Sequence, residues 1–286
     1  MQDFSTPAPP PSSAVTPPAV PSPAAPPAPL TESAVVERLR SAGCVFAEDE
    51  ARLLVEAASG PAGLMDMVER RAAGLPLEHV LGWAEFASLR IAVDPGVFVP
   101  RRRTEFMVGE AVALGRAGVV VVDLCCGSGA VGVALAAALD GVELHAADLD
   151  PAAVRCARRN VAPVGGRVHE GDLFDALPPR LRGRIDLLAA NVPYVPTDAV
   201  GLLPSEARDH EARIALDGGP DGLDVLRRVA AEARHWLAPG GSLLFETSER
   251  QAPHAVEIVR AGGLEPRVAT DEELYATVVI GARPAG

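Results

Sequence analysis

Four consecutive residues, Asn191-Val192-Pro193-Tyr194, follow the apolar run 185–190. The run predicts a buried strand, and ligands of open α/β sheets bind just beyond the carboxyl ends of strands. An Asn there offers an amide with one acceptor oxygen and two donors, able to pair with another amide-like group. Tyr194 offers a flat stacking wall. Together they suit a planar nitrogen nucleophile. Asn and Pro are also common turn residues, so the tetrapeptide taken alone serves equally as a strand-to-loop turn.

A second group lies upstream. Asp123 ends an apolar run and opens a loop that carries Cys125, Cys126, Gly127, Ser128, Gly129 and Gly132. Glycines at such a place let a ligand approach the backbone at a helix N-terminus. Gly127, Gly129 and Gly132 satisfy G-x-G-x-x-G, and Asp148 falls where that dinucleotide fingerprint expects a ribose-binding acid. By spacing alone a nicotinamide oxidoreductase fits. Asp123 argues against it, because a carboxylate there would face the two negative phosphates of a dinucleotide. It favours a ligand carrying a cation, such as the ammonium of S-adenosyl-L-methionine. Asp148 can grip a ribose diol in either case. Asp172, followed by Leu173, is placed to accept a proton from an adenine amino group. Each Asp taken singly also suits a loop cap; three acids at three successive strand ends suit a cationic adenosyl ligand.

Composition narrows the chemistry further. The 286 residues carry a formal charge of −12, so non-specific attraction to a nucleic-acid backbone is not expected. All 26 basic residues are arginine, which excludes a Schiff-base lysine and a P-loop lysine. The four cysteines (Cys44, Cys125, Cys126, Cys156) form no C-x-x-C pair, and the histidines form no H-E-x-x-H pattern. No metal site is expected, and a reducing, cytoplasmic setting fits better than a disulfide scaffold. Residues 1–29 hold 11 of the 27 prolines and lack a basic n-region, so they are expected to form a disordered tail, not a signal peptide. The most apolar stretch, 119–139, is broken by Asp123, Ser128 and the loop glycines, which predicts a soluble core and no membrane span.

These residues need elements to position them. Thr31 is a predicted N-cap for a helix to about residue 42, with Val35, Val36 and Leu39 on one face. The same periodicity recurs over 49–59 and 61–74, so 31–80 is expected to be a small helical domain. Residues 82–99 alternate and contain Asp94-Pro95-Gly96, which predicts a β-hairpin or two short strands, the linker assigned to 81–103. A helix is expected over 106–114. Strands are then expected at 119–124, 142–147, 167–170, 185–190, 242–246 and near 276–281. Helices are expected at 131–139, 152–160, 222–236 and 253–261. Strands alternating with helices predict an α/β, Rossmann-like, doubly wound and mostly parallel sheet over 104–286.

These residues together resemble the class I S-adenosylmethionine-dependent methyltransferases, specifically the protein-(glutamine-N(5)) methyltransferases of the HemK/PrmC type. Asp123 to Gly129 is similar to that family's acid-plus-glycine loop, Asp148 to its ribose-binding acid, and Asp172-Leu173 to its adenine-contacting segment. Asn191 to Tyr194 resembles its N-P-P-Y tetrad. The segment from Phe98 through Pro100, Arg101 and Thr104 to Glu105 resembles its P-R-P-x-T-E stretch, and residues 216–223 its glycine-rich stretch before the next helix. The resemblance implies a seven-stranded sheet preceded by a helical domain that contacts the protein substrate. It implies methyl transfer to the Gln of the Gly-Gly-Gln motif in class 1 peptide-chain release factors. It implies catalytic roles for Asn191, Val192, Pro193 and Tyr194. Cofactor contacts are implied for Asp123, Cys125, Cys126, Gly127, Ser128, Gly129, Asp148, Asp172, Leu173 and Asn191, and substrate contacts for Arg101, Thr104, Asn191 and Tyr194. Three positions depart from the pattern: Val192 and Arg102 stand where the family has Pro, and Cys125 where it has Gly. The tetrad also occurs in amino-methylases of nucleic-acid bases, which leaves that class as an alternative, although no basic recognition module is present. A methyltransferase-like protein that binds partners without catalysis is a further alternative.

Overall fold

A computed structural model describes residues 30–285; the proline-rich segment read as a tail lies outside the described residues. The N-terminal part is helical: α1 (Glu32–Ser41), α2 (Ala47–Ala57), α3 (Pro61–Ala72) and α4 (Leu77–Leu81). Thr31 caps α1, its Oγ1 accepting from the Ala34 amide at 3.3 Å. Val35 and Leu39 bury with Ala51, Leu54, Leu64 and Val68 in a core of their own. The fourth helix escapes the sequence reading because five residues are too few to display a period.

Next comes a hairpin of β1 (Trp83–Phe86) and β2 (Leu89–Ala92), with Phe86 opposite Leu89. Its turn is Ala87-Ser88, both at positive φ (50° and 59°). A two-residue hairpin turn of this hand suits Asn-Gly, and neither residue here announces it. Asp94-Pro95-Gly96 does form a turn, closed by the Val97 amide donating to the Asp94 carbonyl at 3.0 Å, but it follows the hairpin and does not join its strands.

The remainder is a seven-stranded sheet with helices on both faces. The elements are α5 (Thr104–Leu114), β3 (Val120–Leu124), α6 (Ala130–Ala138), β4 (Glu143–Asp148), α7 (Pro151–Val161), β5 (Arg167–Glu170) and β6 (Ile185–Ala190). They continue with α8 (Ser205–His210), α9 (Asp224–Trp236), β7 (Leu237–Thr247), α10 (Ala252–Ala261), β8 (Glu265–Asp271) and β9 (Ala276–Ala282). Strand order is β5-β4-β3-β6-β7-β9-β8, with β9 antiparallel to both neighbours and β5 to β7 parallel. Val120, Val122 and Leu124 face the layer of α9 and α10, while Val121 faces that of α5, α6 and α7. Burial on both faces is why β3 has no polar alternation. The edge strand β8 is not among the strands the sequence predicts. It carries Pro266, Arg267 and two acids, features that keep an exposed edge from pairing further and that mask strand periodicity. Residues 238–241 bulge out of β7: Leu237 pairs with Ile185, and Ser242 then pairs with Leu187.

Candidate active site

Parallel pairing brings the strand ends to one edge. Leu124 sits opposite Ala147 of β4 and Ala190 of β6, so Asp148 and Asn191 lie at one height on either side of the glycine loop. The chain leaves β3 toward β4 and β5 and returns to place β6 on the other side, which makes this the crevice where open sheets bind ligands. A cavity of about 470 Å³ opens there, large enough for a nucleoside-sized ligand. Asp123, Gly127, Asp148, Asp172, Asn191 and Tyr194 all border it, as do Cys125, Cys126, Ser128 and Leu173.

Asp123 is buried. Its Oδ2 accepts from the Gly132 amide at 2.9 Å, and its Oδ1 has no partner. A Cβ on Gly132 would stand 3.0 Å from Leu144 Cδ1 and 3.2 Å from Asp123 Oδ2, so the glycine makes this close approach possible. Burial pushes the Asp123 carboxyl up to about 8, with the Gly132 N–H opposing and nearby Asp148 adding to the rise. An unpartnered buried carboxylate oxygen on a residue that borders the cavity fits a ligand ammonium, which would hold the group ionised. Asp148 takes the Gly127 amide on Oδ2 at 2.8 Å and the Asp150 amide on Oδ1 at 2.9 Å. Each of its oxygens keeps a second acceptor direction for a diol. Burial raises this carboxyl too, against those two amide donors. Asp172 is engaged by Arg228 Nη2 at 2.7 Å through Oδ2. The residues present fit a cationic adenosyl ligand.

The backbone is bent to make this site. Cys125, where the family has Gly, has φ +53°, and Leu173 has φ +48°. Burial drives the Cys125 and Cys126 thiols upward, and the neighbouring acids add to the rise, so both stay protonated and are poor nucleophiles. Asn160 was not singled out in the sequence. Its Nδ2 donates to the Ser128 carbonyl (2.8 Å) and the Ala92 carbonyl (2.9 Å), and its Oδ1 accepts from the Ala92 amide (2.9 Å). It ties the glycine loop to the hairpin.

On the β6 side, Val192 is buried in the core that packs under α9. Of the three consecutive arginines at 101–103, the first and third are engaged by protein acids. Arg101 pairs with buried Glu211 at 2.6 Å and lies over the Phe98 ring. Arg103 Nε pairs with buried Glu246 at 2.6 Å and its Nη2 donates to the Tyr194 hydroxyl at 2.6 Å. Thr104 Oγ1 donates to Glu246 at 2.6 Å. The polar ends of Arg101 and Thr104, expected at the substrate, thus hold protein carboxylates. The sequence assigns neither Glu211 nor Glu246 a role: Glu211 sits in the polar stretch 205–211 and Glu246 ends the strand expected at 242–246, with no motif around either.

Comparison with known proteins agrees with this geometry. Residues 89–202 match the family described as "Methyltransferase small domain". The chain is 39% identical over 215 residues to the release factor glutamine methyltransferase of Streptomyces coelicolor, a match covering 74% of this chain and 73% of that one. It is 36% identical over 256 residues to the protein of the same name from Deinococcus radiodurans, covering 82% and 90%. It is also 38% identical over 205 residues to a 4-amino-L-phenylalanine/4-methylamino-L-phenylalanine methyltransferase of Streptomyces pristinaespiralis, covering 68% and 69%. With an acid-and-glycine crevice facing an Asn-x-Pro-Tyr strand end, and relatives 36–39% identical over most of both chains, the chain belongs to the release factor glutamine methyltransferase family.

Proposed function

We propose that this enzyme transfers a methyl group from S-adenosyl-L-methionine to the side-chain amide nitrogen of a protein glutamine, that of the Gly-Gly-Gln motif in a class 1 release factor. The observation that carries this reading is the placement of Asn191 on the same cavity as the partnerless Asp123 oxygen and Asp148. The cofactor supplies a methyl group already activated on a sulfonium. Asp123 holds its ammonium, Asp148 its ribose, and the Asp172-Leu173 segment borders its base. The glycine loop lies along it through Cys125, Cys126, Gly127 and Ser128, while Gly129, at the start of α6, does not border the cavity and acts through the loop's backbone.

An amide nitrogen is a weak nucleophile because its lone pair is delocalised into the carbonyl. Asn191 Oδ1 and the Val192 carbonyl accept the two amide hydrogens of the glutamine, which orients the nitrogen and favours localisation of its lone pair. Pro193 shapes the strand end, and Tyr194 packs its ring beside the amide. Catalysis is then mostly positioning and electrostatics. Residues 31–80 contact the protein substrate, 81–103 link that helical part to the rest, and 104–286 carry the transfer. Among the described residues no helix is long and apolar enough to cross a membrane; the proposed release-factor substrate supports a cytoplasmic setting.

A second acceptor class rests on one observation, the Streptomyces pristinaespiralis relative, whose name specifies an aromatic amine. Purified enzyme incubated with methyl-labelled cofactor, a release factor, 4-amino-L-phenylalanine and nucleic acid separates the two readings. Label on the Gly-Gly-Gln glutamine, located by fragment mass spectrometry, supports the first. Label only on the free amino acid establishes the second, and label on added nucleic acid overturns both.

A further inference from the structure

Glu246 is 2% exposed and does not border the cavity, yet three residues that do border it converge on its carboxylate. Arg103 Nε and the Tyr194 hydroxyl both donate to Oε1, and Thr104 Oγ1 donates to Oε2, each at 2.6 Å. Arg103 Nη2 also donates to the Tyr194 oxygen at 2.6 Å. The phenol therefore gives its one proton to Glu246 and receives one from Arg103. No donor remains for a substrate, and the hydroxyl cannot act as a base. With the hydroxyl engaged, what Tyr194 can offer an acceptor is its ring. Its backbone is held from the other side, where Gln251 Nε2 donates to the Tyr194 carbonyl at 2.9 Å and to the Asp221 carbonyl at 3.0 Å.

We infer that Glu246 is a positioning residue for methyl transfer, fixing the ring of Tyr194 against the acceptor amide through the phenol hydroxyl and the Arg103 bridge. This rests on the proposed role of Tyr194 in transfer. A buried carboxylate with three strong donors is a rigid anchor. Its strand, β7, pairs directly with β6, whose end carries Asn191 and the tetrapeptide. The anchor thus ties the wall beside the acceptor to the strand that sets the acceptor's height, and Thr104 and Arg103 bring the start of α5 into the same fixture.

The test is a double-variant cycle of Glu246→Gln and Tyr194→Phe, reading kcat and KM with a release factor as acceptor and cofactor Kd by calorimetry. Displacing a wall of the acceptor site is expected to lower kcat by roughly 10- to 100-fold in Glu246→Gln, with cofactor Kd unchanged. If Glu246 acts through Tyr194, the double variant loses about as much as the worse single variant, not the product of the two losses. Multiplying losses, or a cofactor Kd that weakens in step with kcat, overturns the inference. Should Glu246→Gln fold poorly, Thr104→Val removes one donor while leaving the Arg103 pair, and a smaller kcat loss with the same lack of additivity is expected.

A readout independent of the acceptor guards against failure of the proposed function itself. The chain has two tyrosines, and Tyr275 is exposed in the turn before β9, so a Tyr275→Phe background leaves Tyr194 as the only phenol. Burial and Glu246 raise the Tyr194 phenol, while Arg103 lowers it. Its ultraviolet ionisation, followed only over the pH range in which circular dichroism shows both variants folded, should begin at lower pH in Glu246→Gln, because the cation stays and the carboxylate goes. An unmoved onset overturns the coupling, whatever substrate the enzyme proves to use.

Discussion

Arg71 of α3 reaches Glu206 of α8, 135 positions along the chain, at 2.7 Å, and so joins the helical part to a residue that borders the cavity. The same guanidinium forms a two-pronged pair with Glu50 of α2, at 2.6 and 3.0 Å, with both side chains about nine-tenths buried. The link to Glu206 is half exposed; the link to Glu50 is not.

That difference sets a stability prediction. Arg71→Met leaves the Glu50 carboxylate buried without its partner, and removal of one member of a buried pair costs about 3–5 kcal/mol. Glu206→Gln removes only the more exposed contact and should cost less than about 1 kcal/mol. Urea unfolding of the two variants measures both, and equal losses would contradict the assignment of Arg71 to the buried pair.

Asp123 carries a pH signature. Its folded-state carboxyl is raised to about 8 from an ordinary 3.8 by burial. Below the lower value both states are protonated and nothing is gained or lost. As pH rises from there, the unfolded chain gives up the proton while the folded protein keeps it, so stability falls until about pH 8 and then levels. Asp123→Asn removes this dependence, and its stability advantage over the parent without cofactor should widen across that window. The same variant should weaken the cofactor by roughly 10- to 100-fold, the value of a charge-assisted hydrogen bond. Thermal melts across the pH range and calorimetric titration report the two effects.

Asn191→Ala should lower turnover by roughly 100-fold or more, the usual cost of removing a group that organises a transition state, while cofactor affinity changes far less. Retained turnover in a single-turnover assay would remove Asn191 from the mechanism.

Cys125 holds a left-handed backbone (φ +53°) that disfavours a side chain. Cys125→Gly relieves that strain but frees the unfolded chain, two opposing effects of about 1 kcal/mol each, so stability should hardly move. Cys125→Val puts a branched Cβ into the same conformation and should cost about 1–2 kcal/mol or more. Denaturant midpoints distinguish the pair, and a Val variant as stable as the Gly variant would show the loop free to change hand.

Much of this architecture was legible from residue order. The alternation of strand and helix, the boundaries of β5 and β6, the Thr31 cap and the acids at successive strand ends follow from local periodicity, because which face of an element is buried repeats along it. The motifs at Asp123–Gly132 and Asn191–Tyr194 were visible for the same reason: a strand end and the loop after it are contiguous in sequence. Tertiary structure alone decided what those motifs lean on. Arg101 and Arg103, two positions apart in one charged run, turn to different buried acids, Glu211 and Glu246, 110 and 143 residues away. Ala87-Ser88, not Asp94-Pro95-Gly96, makes the hairpin turn, because the pairing of β1 with β2 imposes a backbone that those side chains do not advertise. The edge strand β8 forms by pairing with β9 despite its proline and charges. A local pattern reports which face of an element is buried; the partner a buried charge finds depends on which distant strand the fold lays beside it.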